Sequence, residues 1–305
     1  MLKYIIKKLL MMIPVLLGLT VIVFLILHLS PGDPVHLIVG PNATPEVYEN
    51  VRRSMGLDKP LITQYLSFLS NIIRGDLGKS ILQQRPVLDI IMERFPITIG
   101  LGIRALLLSF VIAVPMGIIA AVNRNKAADY TAMSFALVGI SMPTFWLGLL
   151  LLYFFAYRLG LFPISGYGSW KHLVLPVITM GLTDAAVIAR MVRSSMLEVI
   201  SQDYIRTARA KGLKEKIVIN KHALKNALIP VITLLGMRMG WIIGGSVTME
   251  IIFSIPGLGR VMVDAIFSRD YPVVQGSILI LTASVMISNI IADILYAIVD
   301  PRIKY

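Results

Sequence analysis

The sequence predicts an all-α, polytopic membrane protein with about six transmembrane helices. Hydrophobic residues make up 56% of the 305 residues, charged residues only 15%, and the mean hydropathy is +0.79. Soluble globular chains carry roughly 45–50% apolar and about 25% charged residues. The chain is too apolar for a water-soluble domain, so we expect the lipid bilayer to be its solvent.

Six apolar runs are each long enough to cross a bilayer, since about 20 helical residues span the ~30 Å of hydrocarbon. They are Leu9 to Leu29, Ile97 to Val122, Tyr130 to Tyr157, Leu173 to Val192, Leu228 to Ile251 and Val273 to Val299. The first run exceeds the apolar core of a signal peptide, and no small-residue cleavage pattern follows it. We therefore expect residues 1–29 to form an uncleaved N-terminal transmembrane helix.

Charge and residue usage narrow the functional classes. The net charge of +12 comes from basic residues in loops between the apolar runs, so it indicates topology, and no nucleic-acid partner is expected. The chain has no cysteine, which excludes thiol chemistry, and its four histidines lack metal-ligand spacing. We expect neither catalytic residues nor a metal site.

The distribution of lysine and arginine predicts that both termini are cytoplasmic. Basic residues crowd the N-terminus, the loop at Arg124 and Lys126, the segment 193–228 and the tail 300–305. The two short loops on the opposite side carry few basic residues. The long loop 30–96 is assigned to the exported side, where loops above about 60 residues largely escape the charge rule.

The exported loop 30–96 is predicted to form a small helical insertion outside the membrane. Thr44-Pro45-Glu46 is typical of a helix start, and apolar residues recur at helical spacing from Ile62 to Ile73. The run RGDLGKS resembles a phosphate-binding loop, but that motif requires a glycine in place of Ile73 and a preceding strand. No nucleotide site is expected here.

The segment 193–228 is the longest cytoplasmic excursion. It is polar yet rich in helix formers, and Gly212 stands where a helix would end on a residue with positive φ. We predict two short helices, Tyr204 to Lys211 and Lys216 to Leu228. From the residues alone, the segment could also be only a basic topology anchor.

Two runs in this segment, DYIRTARAKGL at 203–213 and HALKNALIP at 222–230, closely resemble the ATPase-docking segment of permeases in ATP-binding-cassette importers. The resemblance is to the first permease of oligopeptide, dipeptide, glutathione and nickel systems. Arg206-Thr207-Ala208 stands where the general motif has Glu-Ala-Ala, as it does in the peptide branch. Further matches are SPGDP at 30–34, GISMPTFW at 139–146, FSIPGLGR at 253–260 and RDYPVVQG at 269–276.

The resemblance implies a type I importer permease fold in a bacterial cytoplasmic membrane, with residues 97–299 as its transmembrane core. It implies a second homologous permease as heterodimer partner, two ATPase subunits that bind ATP and Mg²⁺, and an extracytoplasmic substrate-binding protein. This chain itself would hold no cofactor and catalyse no reaction. The implied ATPase-docking residues are Tyr204, Arg206, Thr207, Ala208, Arg209, Ala210, Lys211, Gly212 and Leu213, with small residues allowing close approach.

Ionisable residues inside a span are costly, by about 2.5–3.5 kcal/mol on insertion scales. Asp184 and Arg238 lie near the middle of spans four and five, so they could line a translocation path, pair between subunits or pair structurally. Arg104 in span two carries the same alternatives. Arg190 and Asp293 lie nearer the cytoplasmic ends and are expected at the interface.

Residues 254–276 are too polar to cross the membrane and are predicted to form an extracytoplasmic segment. The residues of the predicted outer gate loop are Pro256, Gly257, Leu258 and Gly259, which favour a tight turn. An apolar stripe from Leu258 to Ile266 predicts a short surface helix after it. This segment could cover the outer mouth of a path, seat the binding protein or pack on the insertion.

The sequence is compatible with more than one substrate and more than one functional class. Di- and oligopeptides are the first choice, with glutathione and nickel as alternatives, because specificity in such systems resides largely in the binding protein. An ion-coupled secondary transporter is the alternative of a different class, but the sequence indicates no pair of broken helices in corresponding halves. An intramembrane hydrolase is least favoured, since no span carries a serine with a histidine partner.

Overall fold

The computed structural model describes residues 2–29, 35, 39–40, 43–54 and 56–299. The SPGDP run at 30–34 and the tail 300–305, both used in the sequence analysis, lie outside these residues. Across the described ranges the chain is helical apart from its connecting segments and one isolated β-bridge between Lys79 and Pro86. The all-α prediction is confirmed.

The helices of the described residues are numbered in chain order. They are α1 (Leu2–Leu29), α2 (Pro45–Ser54), α3 (Leu61–Ile73), α4 (Val87–Val122), α5 (Ala127–Ser141), α6 (Thr144–Leu151), α7 (Trp170–Ile200), α8 (Asp203–Ala210), α9 (Glu215–Ile217), α10 (Leu224–Ile252), α11 (Leu258–Phe267) and α12 (Tyr271–Val299). A π-helix, Leu152–Arg158, continues α6, and a second π-helix, Val218–Ala223, joins α9 to α10.

The helices provide four to six membrane spans. Helices α1, α4, α7 and α12 are each long and apolar enough to cross singly. The number rises to six if each of two bent helix pairs is one span. The first pair is α5 with the helix that follows it, and the second comprises the two halves of the run from Glu215 to Ile252. The prediction of about six spans agrees with this upper number.

The third predicted span, Tyr130 to Tyr157, is not one continuous helix. Its two parts are bent by 103°, and the break falls at Met142 and Pro143. Proline lacks an N–H for the helix and keeps the preceding residue out of the helical region. Met142 accordingly adopts φ −88° and ψ 124°.

A second bend of 60° separates Gly240 from Gly244 within α10. With the break at Pro143, the described chain therefore contains two interrupted spans. The apolar runs had not indicated these two breaks, because apolar periodicity records which residues face lipid or protein and carries no signal for a change of helix direction.

Two spans extend further than predicted. Helix α4 begins at Val87, so the end of the predicted loop 30–96 is already helical. Helix α7 continues to Ile200, so the start of the segment 193–228 prolongs the fourth span. Inside the loop, Thr44 Oγ1 accepts a hydrogen bond from Val47 N at 3.4 Å, as its predicted N-cap position requires.

The chain divides into two compact units. The first comprises Met1–Ile97 and Pro256–Ser284, and the second comprises Thr98–Ile255 and Val285–Tyr305. In the first unit, buried residues of α4, α11 and α12 form one apolar cluster around Ile91 and Leu258. The buried Asp270 carboxylate accepts hydrogen bonds from Ser80 Oγ and from Ile81 N, the latter at 3.0 Å, which joins the insertion to the turn before α12.

In the second unit, α7 packs against α5, α6 and α10. Its buried face includes the small residues Ala185 and Ala189 as well as Val192, which let neighbouring helices approach closely. Gly117 of α4 meets this face. A Cβ atom at position 117 would lie 2.6 Å from Val192 Cβ and 2.7 Å from the Ala189 carbonyl oxygen.

Gly117→Ala should therefore destabilise the second unit, because the added methyl group would overpack a rigid helix contact, at a cost of about 1–3 kcal/mol. The measurement is the melting temperature of the detergent-purified chain by size-exclusion fluorescence. Gly18→Ala is the matched control, since this helical glycine has no atom within 4 Å of its added Cβ. Equal melting temperatures for the two variants would contradict the close contact.

Candidate functional site

The segment with the ATPase-docking sequence forms a short helix followed by a tight turn. Helix α8 spans Asp203–Ala210, one residue displaced from the prediction at each end. Lys211 caps it, and Gly212 has φ +76°, which confirms the predicted glycine position after the helix. A Cβ at Gly212 would meet no atom within 4 Å, so the residue lies in open space.

The two faces of α8 have different environments. Ile205 and Ala208 are buried in the core of the second unit, together with residues of α7 and α10. The other helix residues, including Tyr204, Arg206, Thr207 and Ala210, are exposed. Ala208 was expected to contact an ATPase, but its methyl group packs on this chain, because it lies three residues from Ile205 on the inward helical face.

Two side-chain contacts brace the exposed face. Arg209 donates two hydrogen bonds to Glu215, from Nε at 3.1 Å and from Nη2 at 2.8 Å. Asn226 Nδ2 donates to the Tyr204 hydroxyl at 2.7 Å. Arg209 was expected to contact the ATPase. Two of its N–H donors instead bind Glu215 and stabilise the turn between α8 and α9.

The charge pair across the turn is favoured at neutral pH. The hydrogen bond from Arg209 lowers the pKa of the Glu215 carboxyl and raises the pKa of the Arg209 guanidinium. A lowered carboxyl pKa gives stability that is present above the ordinary glutamate range and is lost only as pH falls through the lowered value. The turn is therefore braced at neutral pH.

The second predicted helix, Lys216 to Leu228, is not a separate element. Helix α9 is only three residues long, and the π-helix Val218–Ala223 leads without a break into α10. Val218, Ile219 and Ala223 are buried in the same core as Ile205. Helix α8 is consequently anchored directly on α10, the fifth span.

An ion pair fastens the start of this segment. Arg193, near the end of α7, donates to both carboxylate oxygens of the buried Asp129, from Nε at 2.6 Å and from Nη2 at 2.7 Å. Asn125, which has φ +61°, donates its backbone N–H to the same carboxylate at 3.0 Å. The bidentate geometry fixes the loop before α5 to the last turns of α7.

A cavity of about 460 Å³ lies in the second unit. Arg238 Nη1 donates to Asp184 Oδ1 at 3.2 Å, and both side chains line the cavity. The wall also includes Thr144 and Phe145, where α6 begins after the break at Pro143. The two mid-span charges that the sequence analysis selected are therefore partners within one chain, at the edge of an open space.

Comparison with known families distinguishes the hypotheses. Residues 113–305 match the family described as binding-protein-dependent transport system inner membrane component, and residues 1–102 match its N-terminal membrane component. This chain belongs to that family. The predicted permease of an ATP-binding-cassette importer is thereby confirmed, and the secondary transporter and the hydrolase are set aside.

Individual relatives agree with this assignment. The permease is 47% identical over 305 residues, and 100% of both chains, to the glutathione transport system permease protein GsiC of Escherichia coli O6:H1. It is 46% identical over the same full length to GsiC of Escherichia coli strain K12. Both similarities extend over the full length of this chain and of the relative.

Solved structures support the fold. The permease resembles an inward-facing MetNI methionine ABC transporter with a TM-score of 0.60 and 21% identity, over 69% of this chain and 96% of that one. It resembles an amino acid ABC transporter crystallised with histidines with a TM-score of 0.54 and 15% identity, over 71% of this chain and 95% of that one. The type I importer permease fold is confirmed.

Arg104 differs from the paired intramembrane charges of the permease. Its side chain is exposed on α4, and its guanidinium lies against Gly100, where an added Cβ would come within 2.8 Å of Nη1. The glycine thus gives the side chain room to lie along its own helix, and Arg104 is not brought together with Asp184 and Arg238.

The predicted outer gate loop is more helical and more buried than expected. Gly257 is the N-cap of α11, and Leu258 and Gly259 form its first turn. Leu258 and Ala265 are buried, whereas Ile266 is 51% exposed, so the apolar stripe packs only in part. The tight turn lies two residues before Pro256, where Ser254 has φ +55°.

Three buried carboxylates of the permease were missed in the sequence analysis. They are Asp129, Asp270 and Glu250, whose side chain accepts a hydrogen bond from Thr98 Oγ1 at 2.6 Å. A carboxylate next to an apolar run is a usable signal, because burial without a partner is costly. The partners themselves are distant in sequence and carry no local signature.

Asp129→Asn should destabilise the permease by about 2–3 kcal/mol, because it removes the charged acceptor of two short hydrogen bonds from Arg193. The expected result is a lower melting temperature and faster proteolysis between α7 and α8. Asp203→Asn is the control, since its 3.5 Å contact with Arg206 is fully exposed and should contribute little. An unchanged melting temperature for Asp129→Asn would show that the bidentate pair adds no stability.

Proposed function

We propose that this permease is one transmembrane subunit of an ATP-driven importer of short peptides, with glutathione as the first candidate substrate. The carrying observation is 47% identity over the full length to a glutathione transport permease. Glutathione was an alternative to unspecified peptides in the sequence analysis, and this similarity favours the alternative. Because glutathione is itself a tripeptide, the peptide-importer hypothesis stands in its broader form.

The proposed assembly contains a second homologous permease, two ATPase subunits and an extracytoplasmic binding protein. ATP and Mg²⁺ would be held by the ATPase subunits, and this chain would convert their closure into opening of a path. The exposed face of α8 supports the docking role, since Tyr204, Thr207 and Ala210 are solvent-exposed on it and Gly212 leaves open space beside it. Membership of the importer permease family supports the partners in general.

The structure offers a direct mechanical route for this coupling. Helix α7 carries Asp184 at the cavity and runs without interruption to Ile200, about 24 Å away at 1.5 Å per residue. Only Ser201 and Gln202 separate it from the docking helix α8. A movement imposed on α8 would reach the cavity through a stiff element, as a lever requires.

The proposed topology places both termini, the segment 193–228 and α8 in the cytoplasm, and places residues 30–96 and 254–276 outside. Residues 1–29 are the N-terminal span and 97–299 the transmembrane core, with their helices extended as described above. The basic residues near α8 support this orientation, because cytoplasmic loops retain lysine and arginine. A bacterial cytoplasmic membrane is the proposed location.

Single cysteines test docking and topology together, since the natural chain has no cysteine. Thr207→Cys should react with a membrane-impermeant maleimide in inside-out vesicles, and co-expressed ATPase subunits should slow this labelling at least about tenfold. Gly168→Cys, in the exposed loop before α7, is the control that should react only from the opposite side. Labelling of both positions from one side would reject the topology, and no protection of Thr207→Cys would reject docking on α8.

Substrate uptake tests the proposed function itself. Proteoliposomes containing the permease, its partner permease, the ATPases and the binding protein should import radiolabelled glutathione only with internal ATP. Dialanine and Ni²⁺ are compared in the same assay. Import of dialanine or Ni²⁺ but not glutathione would replace the substrate, and glutathione import driven by an ion gradient without ATP would overturn the mechanism.

A further inference from the structure

The cavity at Asp184 and Arg238 has the features of a binding site for charged peptide ends. We propose that Arg238 transiently binds a carboxylate of the passing peptide and that Asp184 binds an ammonium group. This inference rests on the proposed function, because it assumes a zwitterionic peptide substrate. It assigns a role to two residues whose ion pair would otherwise be read as purely structural.

The ion pair is incomplete as a structural bridge. A single hydrogen bond of 3.2 Å joins the two side chains, in contrast to the two bonds between Arg193 and Asp129. The Arg238 side chain is 26% exposed and the Asp184 side chain 9% exposed. A guanidinium has five N–H donors, so Arg238 keeps donors that a substrate carboxylate can accept from.

The cavity wall adds a second feature that favours an anion. Helix α6 begins at Thr144 after Pro143, has no side-chain cap, and contributes Thr144 and Phe145 to the wall. The first N–H groups of a helix lack internal partners and carry partial positive charge. Interrupted helices that present such ends at a cavity are a known arrangement for holding anionic groups within a membrane.

The rest of the wall suits weak binding. Met180 and Val187 are apolar, and Thr183 and Thr248 provide hydroxyl groups. The Thr183 hydroxyl donates to the Thr179 carbonyl oxygen at 3.0 Å, so it remains available as an acceptor. The volume of about 460 Å³ lies within the usual range of about 300–1,000 Å³ for small-molecule pockets. Charged ends can thus be held while the peptide's other side chains meet a permissive surface.

The ion pair between Asp184 and Arg238 stabilises both charges in their spans when no peptide is bound. Unpaired charges in an apolar span are costly, so Asp184 and Arg238 neutralise each other when the cavity is empty. Glutathione brings an ammonium group and two carboxylates, so it can replace each partner with a group of the same sign. Exchange of partners costs less than desolvating two free ions, which favours fast, weak binding over a tight complex.

The test compares glutathione with its glycine-carboxyl monoethyl ester, which lacks one carboxylate. Uptake efficiency, kcat/KM, is measured for both in the complete proteoliposome system. The ratio of acid to ester should be at least about tenfold lower for Arg238→Met than for the wild type, because one charge-assisted hydrogen bond is lost. The binding protein's own preference cancels, since it is the same in both assays.

Controls separate binding from structure. The neutral double variant Asp184→Asn with Arg238→Gln can still hydrogen-bond internally, so a purely structural pair predicts an unchanged acid-to-ester ratio. Arg190→Met, which removes an exposed arginine from α7, the helix that carries Asp184, should leave the acid-to-ester ratio unchanged. Basal ATPase activity of each purified complex shows that it has assembled.

The outcomes distinguish this inference from the proposed function. Glutathione import by the wild type with an unchanged ratio in Arg238→Met and in the double variant would overturn the site while leaving the function intact. If the wild type imports no glutathione, the substrate proposal fails. The site is then judged by the same ratio for dialanine and its methyl ester, whose equality across the variants would overturn it.

Discussion

Charges in an apolar solvent must find partners, and α7 is where this constraint acts most strongly in the second unit. Asp184 near its middle pairs with Arg238 of α10, and Arg193 near its end pairs with Asp129 of α5. The small residues between them allow close packing, so the helix is held by charge at two levels and by shape along its length. Neighbouring elements of this unit take their positions from α7.

The two pairs have different characters, and the difference matches their places. The pair at Asp129 is bidentate and its carboxylate is almost fully buried, as expected of a rigid structural contact. The pair at Asp184 is single and borders an open cavity. A transporter needs both kinds of contact, because force must pass through rigid joints while the substrate meets groups that exchange partners easily.

Much of this architecture could be predicted from local features of the sequence. The spans follow from apolar runs of sufficient length, and the end of α8 follows from Gly212. The break at Pro143 was also readable, since a residue before proline resists the helical region, but the apolar run concealed it. The inward face of α8 could have been found from the three-residue spacing of Ile205 and Ala208. The partner of Asp129 could not, because tertiary packing selects it across 64 residues. The pairing of Asp184 with Arg238, across 54 residues, was one of several alternatives that only the structure could separate.

The π-helix Val218–Ala223, between the turn at Gly212 and the fifth span, has a geometric consequence. Each π hydrogen bond closes a ring one residue longer than in an α-helix, so such a segment stores an extra residue without breaking the helix. Its release would turn everything on one side by about 100° relative to the other. The rotation of the exposed face of α8 relative to the cavity-lining face of α10 is therefore set by the number of residues in this short stretch. A one-residue deletion there would rotate the exposed face of α8 while leaving all of its side chains unchanged.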